Sequence, residues 1–200
     1  MIHYNINQTS APAVEPVSTS EMKSHSRIDI STDDTLLGTY IKAATQRFEI
    51  ESRRALITQT WVLRLDRFPT SGSEPILLPR PPVQSVTSVA YIDGDGDSQT
   101  WDSSKYVLDS TSEPGRIYPA YGESWPSTRD IENAVTITYV AGYGDASTDV
   151  PQDIIQAIEM LAAHWYEHRE SVSMGTIVTN VPQSWDFLVA PHRVFYDAPC

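Results

Sequence analysis

The stretch Phe48-Glu49-Ile50-Glu51-Ser52-Arg53-Arg54-Ala55-Leu56-Ile57-Thr58-Gln59-Thr60-Trp61-Val62-Leu63-Arg64-Leu65 decides the fold, because the hydrophobic period changes inside it. Upstream, Leu37, Ile41, Ala44 and Phe48 recur at four- and three-residue steps with Tyr40 alongside. That spacing lays one apolar stripe along a helix running to about Arg54. Its start falls at Ser31 or Thr32, with Asp33 and Asp34 in the first turn near the positive end of the helix dipole. From Ala55 onward alternation replaces the stripe. Trp61, Leu63 and Leu65 interleave with Val62, Arg64 and Asp66, the pattern of a half-buried strand.

Toward the N-terminus lies a second, shorter helix. Ser18 is placed to cap the amide of Glu21 while the Glu21 carboxylate reaches back to the Ser18 amide, and Val17 and Met22 stand where a hydrophobic staple puts them. This helix is expected to end near His25 to Ile28. Residues 1–16, rich in Asn, Gln, Thr, Ala and Pro, read as a flexible arm, with neither the basic start nor the apolar stretch of a secretory signal.

Toward the C-terminus, Pro69 to Gly72 and Pro79-Arg80-Pro81-Pro82 mark loops or edges, since proline removes a donor and restricts its predecessor. Val83 to Ile92 reads as a strand, Asp93-Gly94-Asp95-Gly96-Asp97 as a turn, and Gln99-Thr100-Trp101 as the returning strand. Tyr106 to Leu108 and Arg116 to Tyr118 are shorter strands, and Val135, Ile137 and Tyr139 alternate with threonines in a longer one. The β region amounts to roughly 85 residues of antiparallel structure. Pro151 then opens the clearest helix, with Asp149 as its expected cap and Ile154, Ile158, Leu161 and Trp165 along one face. The chain loosens through Ser171 to Asn180, and a short element over Ser184 to Val189 leads into Pro191-His192-Arg193-Val194-Phe195-Tyr196. No internal repeat is visible. The fold class is therefore α+β: a small helical bundle with a β-rich antiparallel insertion between its second and third main helices. The expected divisions are an arm over 1–16, a helical core over 17–54 and 150–196, and the insertion over 55–149.

Two hundred residues suffice for one substantial domain, or a small one carrying a large insertion, without disulfides or metals as staples. Cys200 is the single cysteine, so no intrachain disulfide forms and a reducing compartment such as a bacterial cytoplasm is acceptable. No apolar run approaches the roughly 18–20 residues that cross a bilayer. Fourteen Lys and Arg against 26 Asp and Glu give a net charge of −12. That balance argues against gripping nucleic acid, which depends on cations replacing counterions at phosphates. It is compatible with DNA moving past without sticking.

Motifs that carry chemistry were weighed against plainer readings. His164-Trp165-Tyr166-Glu167-His168 satisfies H-x-x-E-H, a zinc-hydrolase signature in which two imidazoles one helical turn apart hold a metal beside a carboxylate base. On a helix, however, Glu167 falls nearly opposite the Ile154–Ile158–Trp165 stripe, and few carboxylates follow to complete a ligand set: Glu170, Asp186 and Asp197. Polar residues at the end of an amphipathic helix are the plainer account. Asp93, Asp95 and Asp97 carry the first three positions of a calcium loop, yet Ser98 and Ser104 stand where glycine and glutamate are required, so a hairpin turn fits better. There is no phosphate-binding glycine loop and no nucleophile elbow. The expectation is no catalytic residue, no metal and no cofactor.

Several stretches stand out together: Ala13-Val14-Glu15-Pro16-Val17-Ser18, Arg53-Arg54-Ala55-Leu56-Ile57-Thr58-Gln59-Thr60-Trp61 and Leu78-Pro79-Arg80-Pro81-Pro82-Val83-Gln84-Ser85-Val86. Pro114-Gly115-Arg116-Ile117, Tyr121-Gly122-Glu123-Ser124-Trp125-Pro126, and Val140-Ala141-Gly142-Tyr143-Gly144 before Val150-Pro151 continue the set, closed by His164-Trp165-Tyr166-Glu167 with Arg169-Glu170. In this order, over nearly the whole chain, they resemble the head–tail connector (adaptor, neck) proteins of long-tailed double-stranded DNA bacteriophages and gene transfer agents.

The resemblance implies a structural virion protein, not an enzyme. It would be located in the virion neck and assembled in the host bacterial cytoplasm. Self-association would form a ring, commonly a dodecamer, beneath the portal protein. The ring would extend the channel through which genomic DNA passes without sequence-specific binding, and would dock the next neck, stopper or tail-completion protein. No membrane is involved. C-terminal segments of the family reach the portal, a role that by position would fall here to Trp185, Phe187, His192, Arg193, Phe195 and Tyr196. A different neck or tail-completion component is the nearest alternative reading, and the zinc hydrolase a more distant one.

Overall fold

The structure is a computed structural model that describes residues 4–70, 74–168 and 183–195. The chain divides into two compact units: the first takes 1–12, 58–143 and 194–200, and the second takes 13–57 and 144–193. Relative to the expected insertion at 55–149, the boundaries fall at 57/58 and 143/144.

In the second unit, helix α1 (Thr19–Ser26) is opened by the capping box. The Glu21 amide donates to Ser18 Oγ at 3.2 Å, and the Ser18 amide donates to Glu21 Oε2 at 2.8 Å. Val17 and Met22 are buried beneath it. Arg27, left-handed at φ 54°, stops the helix. Helix α2 (Asp34–Ser52) buries Leu37, Ile41, Ala44 and Phe48, the stripe read from the sequence, and ends at Arg53 in the same left-handed conformation.

Helix α3 (Gln152–Glu167) packs on α2 and buries Ile154, Ala157, Ile158, Leu161 and Ala162. Trp165 is only half-buried and leans on Tyr40, ring centroids 6.5 Å apart. Asp149 does not cap α3, as the sequence suggested. Its carboxylate accepts from the Ala146 amide at 3.0 Å, which spends it on a 3₁₀ turn at Ser147–Asp149. Helix α4 (Gln183–Val189), followed by a 3₁₀ turn at Ala190–His192, packs on α2 and α3.

The first unit holds two antiparallel sheets. Strands β1 (Tyr4–Ser10), β2 (Gln59–Leu65), β4 (Val83–Ile92), β5 (Ser98–Trp101) and β8 (Val135–Ala141) form one, in the order β1-β2-β8-β4-β5. Strands β3 (Ile76–Leu78), β6 (Tyr106–Asp109) and β7 (Gly115–Pro119) form the other, in the order β3-β7-β6. Within the five-stranded sheet β2 and β8 run in unbroken register, Trp61 opposite Tyr139 and Leu63 opposite Ile137. Alternate residues of β8, Val135, Ile137, Tyr139 and Ala141, are buried, as period-two patterning requires. The Tyr139 hydroxyl donates to the Pro79 carbonyl at 2.7 Å, so this buried phenol is satisfied.

Strand β1 corrects the expectation of a flexible arm: residues 4–10 pair antiparallel with β2. An edge strand is held by main-chain hydrogen bonds, so Tyr-Asn-Ile-Asn-Gln-Thr-Ser needs no apolar face to join, and its composition did not betray it.

Five aromatic rings cluster at one side of the first unit. Trp125, from the long β7–β8 connection, stacks on Phe68 at 5.0 Å and 15°, and its indole nitrogen donates to the Glu74 carbonyl at 3.0 Å. Trp101 lies 5.0 Å from Trp125, and Tyr91 and Tyr106 close the group against Phe68 and Trp101. Loops too polar to hold themselves down are fixed by this cluster.

Candidate functional site

The residues singled out near the C-terminus fall into two structural kinds. On α4, Trp185 and Phe187 are two residues apart, about 200° around the helix, so they cannot share a face. Trp185 points inward and is 4% exposed; Phe187 points outward and is 85% exposed. The Trp185 indole meets the Phe48 ring edge-on at 5.9 Å and donates to Glu51 Oε2 at 3.1 Å.

His192 is also turned inward: its Nε2 lies 2.6 Å from Asp153 Oδ2, its ring tilts over Phe48 at 6.0 Å, and its carbonyl accepts from Arg54 Nε at 2.7 Å. Arg193 reaches Glu51 at 3.4 Å and Asp186 at 3.6 Å. Apart from the Arg193–Asp186 pair, which stays within the segment, these polar bonds end on Glu51 in the last turn of α2, on Arg54 just beyond it and on Asp153 in the first turn of α3. Burial pushes the Asp153 carboxyl upward. The hydrogen bond and charge of His192, with the Ile154 amide, outweigh it and hold the group below the ordinary aspartate range.

Phe195, in the first unit, is 84% exposed. Tyr196 lies outside the described residues. Of the six positions, then, Trp185, His192 and Arg193 fasten the segment to its own unit, while Phe187 and Phe195 present bare rings. Sequence position could not separate these roles; the two-residue spacing of Trp185 and Phe187 on a helix was the available signal.

The H-x-x-E-H residues do not assemble a metal centre. Helix α3 ends at Glu167, and His168 (φ −113°, ψ 68°) is its C-cap, its amide donating to the His164 carbonyl at 2.9 Å. The rings of His164 and His168 lie edge to face with centroids 4.8 Å apart, and Glu167 is exposed. Among the described residues no group of three His, Cys, Asp or Glu side chains is arranged to hold a metal.

The aspartate turn is a hairpin turn. Asp93 Oδ1 accepts from the amides of Asp95, Gly96 and Asp97 at 3.1, 3.1 and 2.9 Å, and Oδ2 accepts from Gln99 Nε2 at 2.8 Å. Those bonds, the one from Gln99 first, lower the Asp93 pKa and turn its carboxylate toward its own backbone. Gly96 at φ 98° supplies the left-handed residue the turn needs. An open groove of about 640 Å³ beside α1 is lined by Thr19, Lys23 and Asp34 among others, and Lys23 spends its charge on Asp34 at 2.9 Å. No described helix is long and apolar enough to cross a membrane.

An α+β chain with exposed aromatic rings and a clasped terminal segment offers surface for contact with another protein. Residues 16–184 match the family described as head completion protein, and the chain belongs to that family. It is similar to a chain in the neck of an empty gene transfer agent particle computed with C6 symmetry, at 26% identity and a TM-score of 0.78 over 96% of this chain and 97% of that one. It shares its fold with chains of the virion of a native gene transfer agent particle (24% identity, TM-score 0.78, 96% of each chain) and of the neck of the native particle computed with C12 symmetry (24%, TM-score 0.75, 96% and 97%). No curated protein matches the sequence significantly. The family membership makes this a structural protein of head completion.

Proposed function

We propose that this chain is a head–tail connector subunit whose copies close into a ring under the portal, twelve of them by the family resemblance. The ring prolongs the DNA channel and docks the tail or the next neck protein. It works by contact and not by turnover, in the neck of a virion assembled in the host bacterial cytoplasm. The observation that carries this reading is the 26% identity and TM-score of 0.78, over 96% of the chain, with a chain from a gene transfer agent neck computed with sixfold symmetry. A ring needs heterologous faces on each subunit that close by rotation. A net charge of −12 repeated around such a ring keeps DNA from adhering to its wall.

Portal docking is assigned to the C-terminal segment. Phe187 and Phe195, both nearly fully exposed, are the contact anchors. Trp185, His192 and Arg193 hold α4 and the turn after it in place for Phe187, and Phe195 and Tyr196 are assigned to docking by position alone. Exposed aromatic rings at an interface centre are the residues that most often dominate binding. The test is co-purification and titration with the portal. Phe187→Ala combined with Phe195→Ala is expected to weaken binding by roughly thirtyfold, the equivalent of about 2 kcal/mol. Unchanged affinity overturns the docking assignment. A reconstruction of the neck in which the ring is absent, or is lined mainly by Lys and Arg, overturns the channel assignment.

A further inference from the structure

Strand β1 covers the edge of β2, whose residues Trp61, Val62, Leu63 and Leu65 are buried. It does so with almost no apolar grip of its own. Tyr4, Asn5 and the run from Asn7 to Ser10 are exposed, and only Ile6 is half-buried. Its hold is the main-chain ladder from Tyr4↔Leu65 to Ser10↔Thr60, with a side-chain bond from Gln8 to Gln59 and one from Thr9 Oγ1 to the Thr60 carbonyl at 3.3 Å. Such a ladder is satisfied equally by an identical strand from another copy, since every contact is reproduced.

The connection allows it. From Ser10 to Pro16, the next buried residue, the chain runs through Ala11-Pro12-Ala13-Val14-Glu15. Six residue steps extend to roughly 20 Å, and Pro12 stiffens the linker between them. An edge strand that is both weakly anchored and long-tethered is the kind of element that oligomers exchange at little cost.

We propose that in the assembled protein β1 of each copy pairs with β2 of a neighbouring copy, so that the ring is closed by exchanged strands. The second copy is the occupant because the strand complementary to this edge, in its register, is the chain's own. The proposal rests on the ring reading above.

Asn5 and Arg64 are opposed in the ladder, both at least partly exposed, and suit a disulfide probe. Asn5→Cys and Arg64→Cys are introduced together with Cys200→Ser, and particles carrying this variant are purified reduced, oxidised intact, and run without reductant. A ladder of covalently joined subunits, absent from either single-cysteine variant, is expected. Subunits present but cross-linked only within themselves overturn the exchange while leaving the ring reading standing. Thiols that stay free show β1 unpaired with β2 and overturn it as well, as does a ladder from a single-cysteine variant. If particles with the native sequence lack the polypeptide, the neck reading fails and the exchange with it.

Discussion

Trp185 stands edge-on to Phe48, centroids 5.9 Å apart at 88°, and this contact fastens α4 to α2 inside the second unit. Trp185→Ala is expected to lower unfolding stability by about 3 kcal/mol, the size usual for emptying a buried aromatic site. Phe187→Ala, which removes an exposed ring, is expected to change stability by less than about 0.5 kcal/mol. Urea unfolding of both variants measures the difference; equal losses would show that α4 is not held by the inward ring. For the same reason truncation before α4 is a poor test of docking, because it strips Trp185 and Val189 from the core along with Phe187.

Ser18 accepts from the Glu21 amide and, through its own amide, is bonded by the Glu21 carboxylate. Ser18→Ala should cost about 1 kcal/mol by leaving the first turn of α1 uncapped. A midpoint shift in denaturant with an unchanged slope is the expected signature.

Asp109 folds back on its own turn. Its oxygens accept from the Ser112 hydroxyl at 2.5 Å, from the Thr111 hydroxyl at 2.7 Å, and from both backbone amides. These bonds, Ser112 first, bring its pKa from 3.8 down to about 2. A depressed carboxylate stabilises the folded state above its unfolded pKa and loses that contribution as pH falls through the folded one. The window is thus from about pH 4 down to pH 2. NMR titration of the carboxyl carbon should give a midpoint near 2 in the native protein, and Ser112→Ala should move it back toward 3.8.

Gly144 leaves no room for a side chain, because a Cβ there would collide with the Asp149 carboxylate that caps the following turn. Gly144→Ala is expected to destabilise by about 1–3 kcal/mol, the range for overpacking a filled site. Asp149→Ala in the same background should recover part of that loss, which a double-mutant cycle reads directly.

The sequence made legible whatever depends on local periodicity. The α2 stripe, the alternation of β8 and the Ser18–Glu21 box all stand where their spacing put them. It obscured what depends on partners far along the chain. Phe68, Trp101 and Trp125 lie far apart along the chain, and only the fold stacks them. Ala157 and Ala162, too small to mark a stripe, are buried in α3, whereas conspicuous Trp165 is half out. Strand β1 escaped because a main-chain ladder leaves no side-chain pattern. In the candidate site, the C-terminal segment is singled out only by its position in the family resemblance. That Trp185 faces in and Phe187 out is decided by α4 packing on Phe48.

Because Gln59 and Ala141 are opposed in the central ladder, the segment 59–141 begins and ends on neighbouring strands, a few ångströms apart at their bases. A segment whose two ends lie side by side can lengthen or shorten its outlying loops without moving the chain on either side of it.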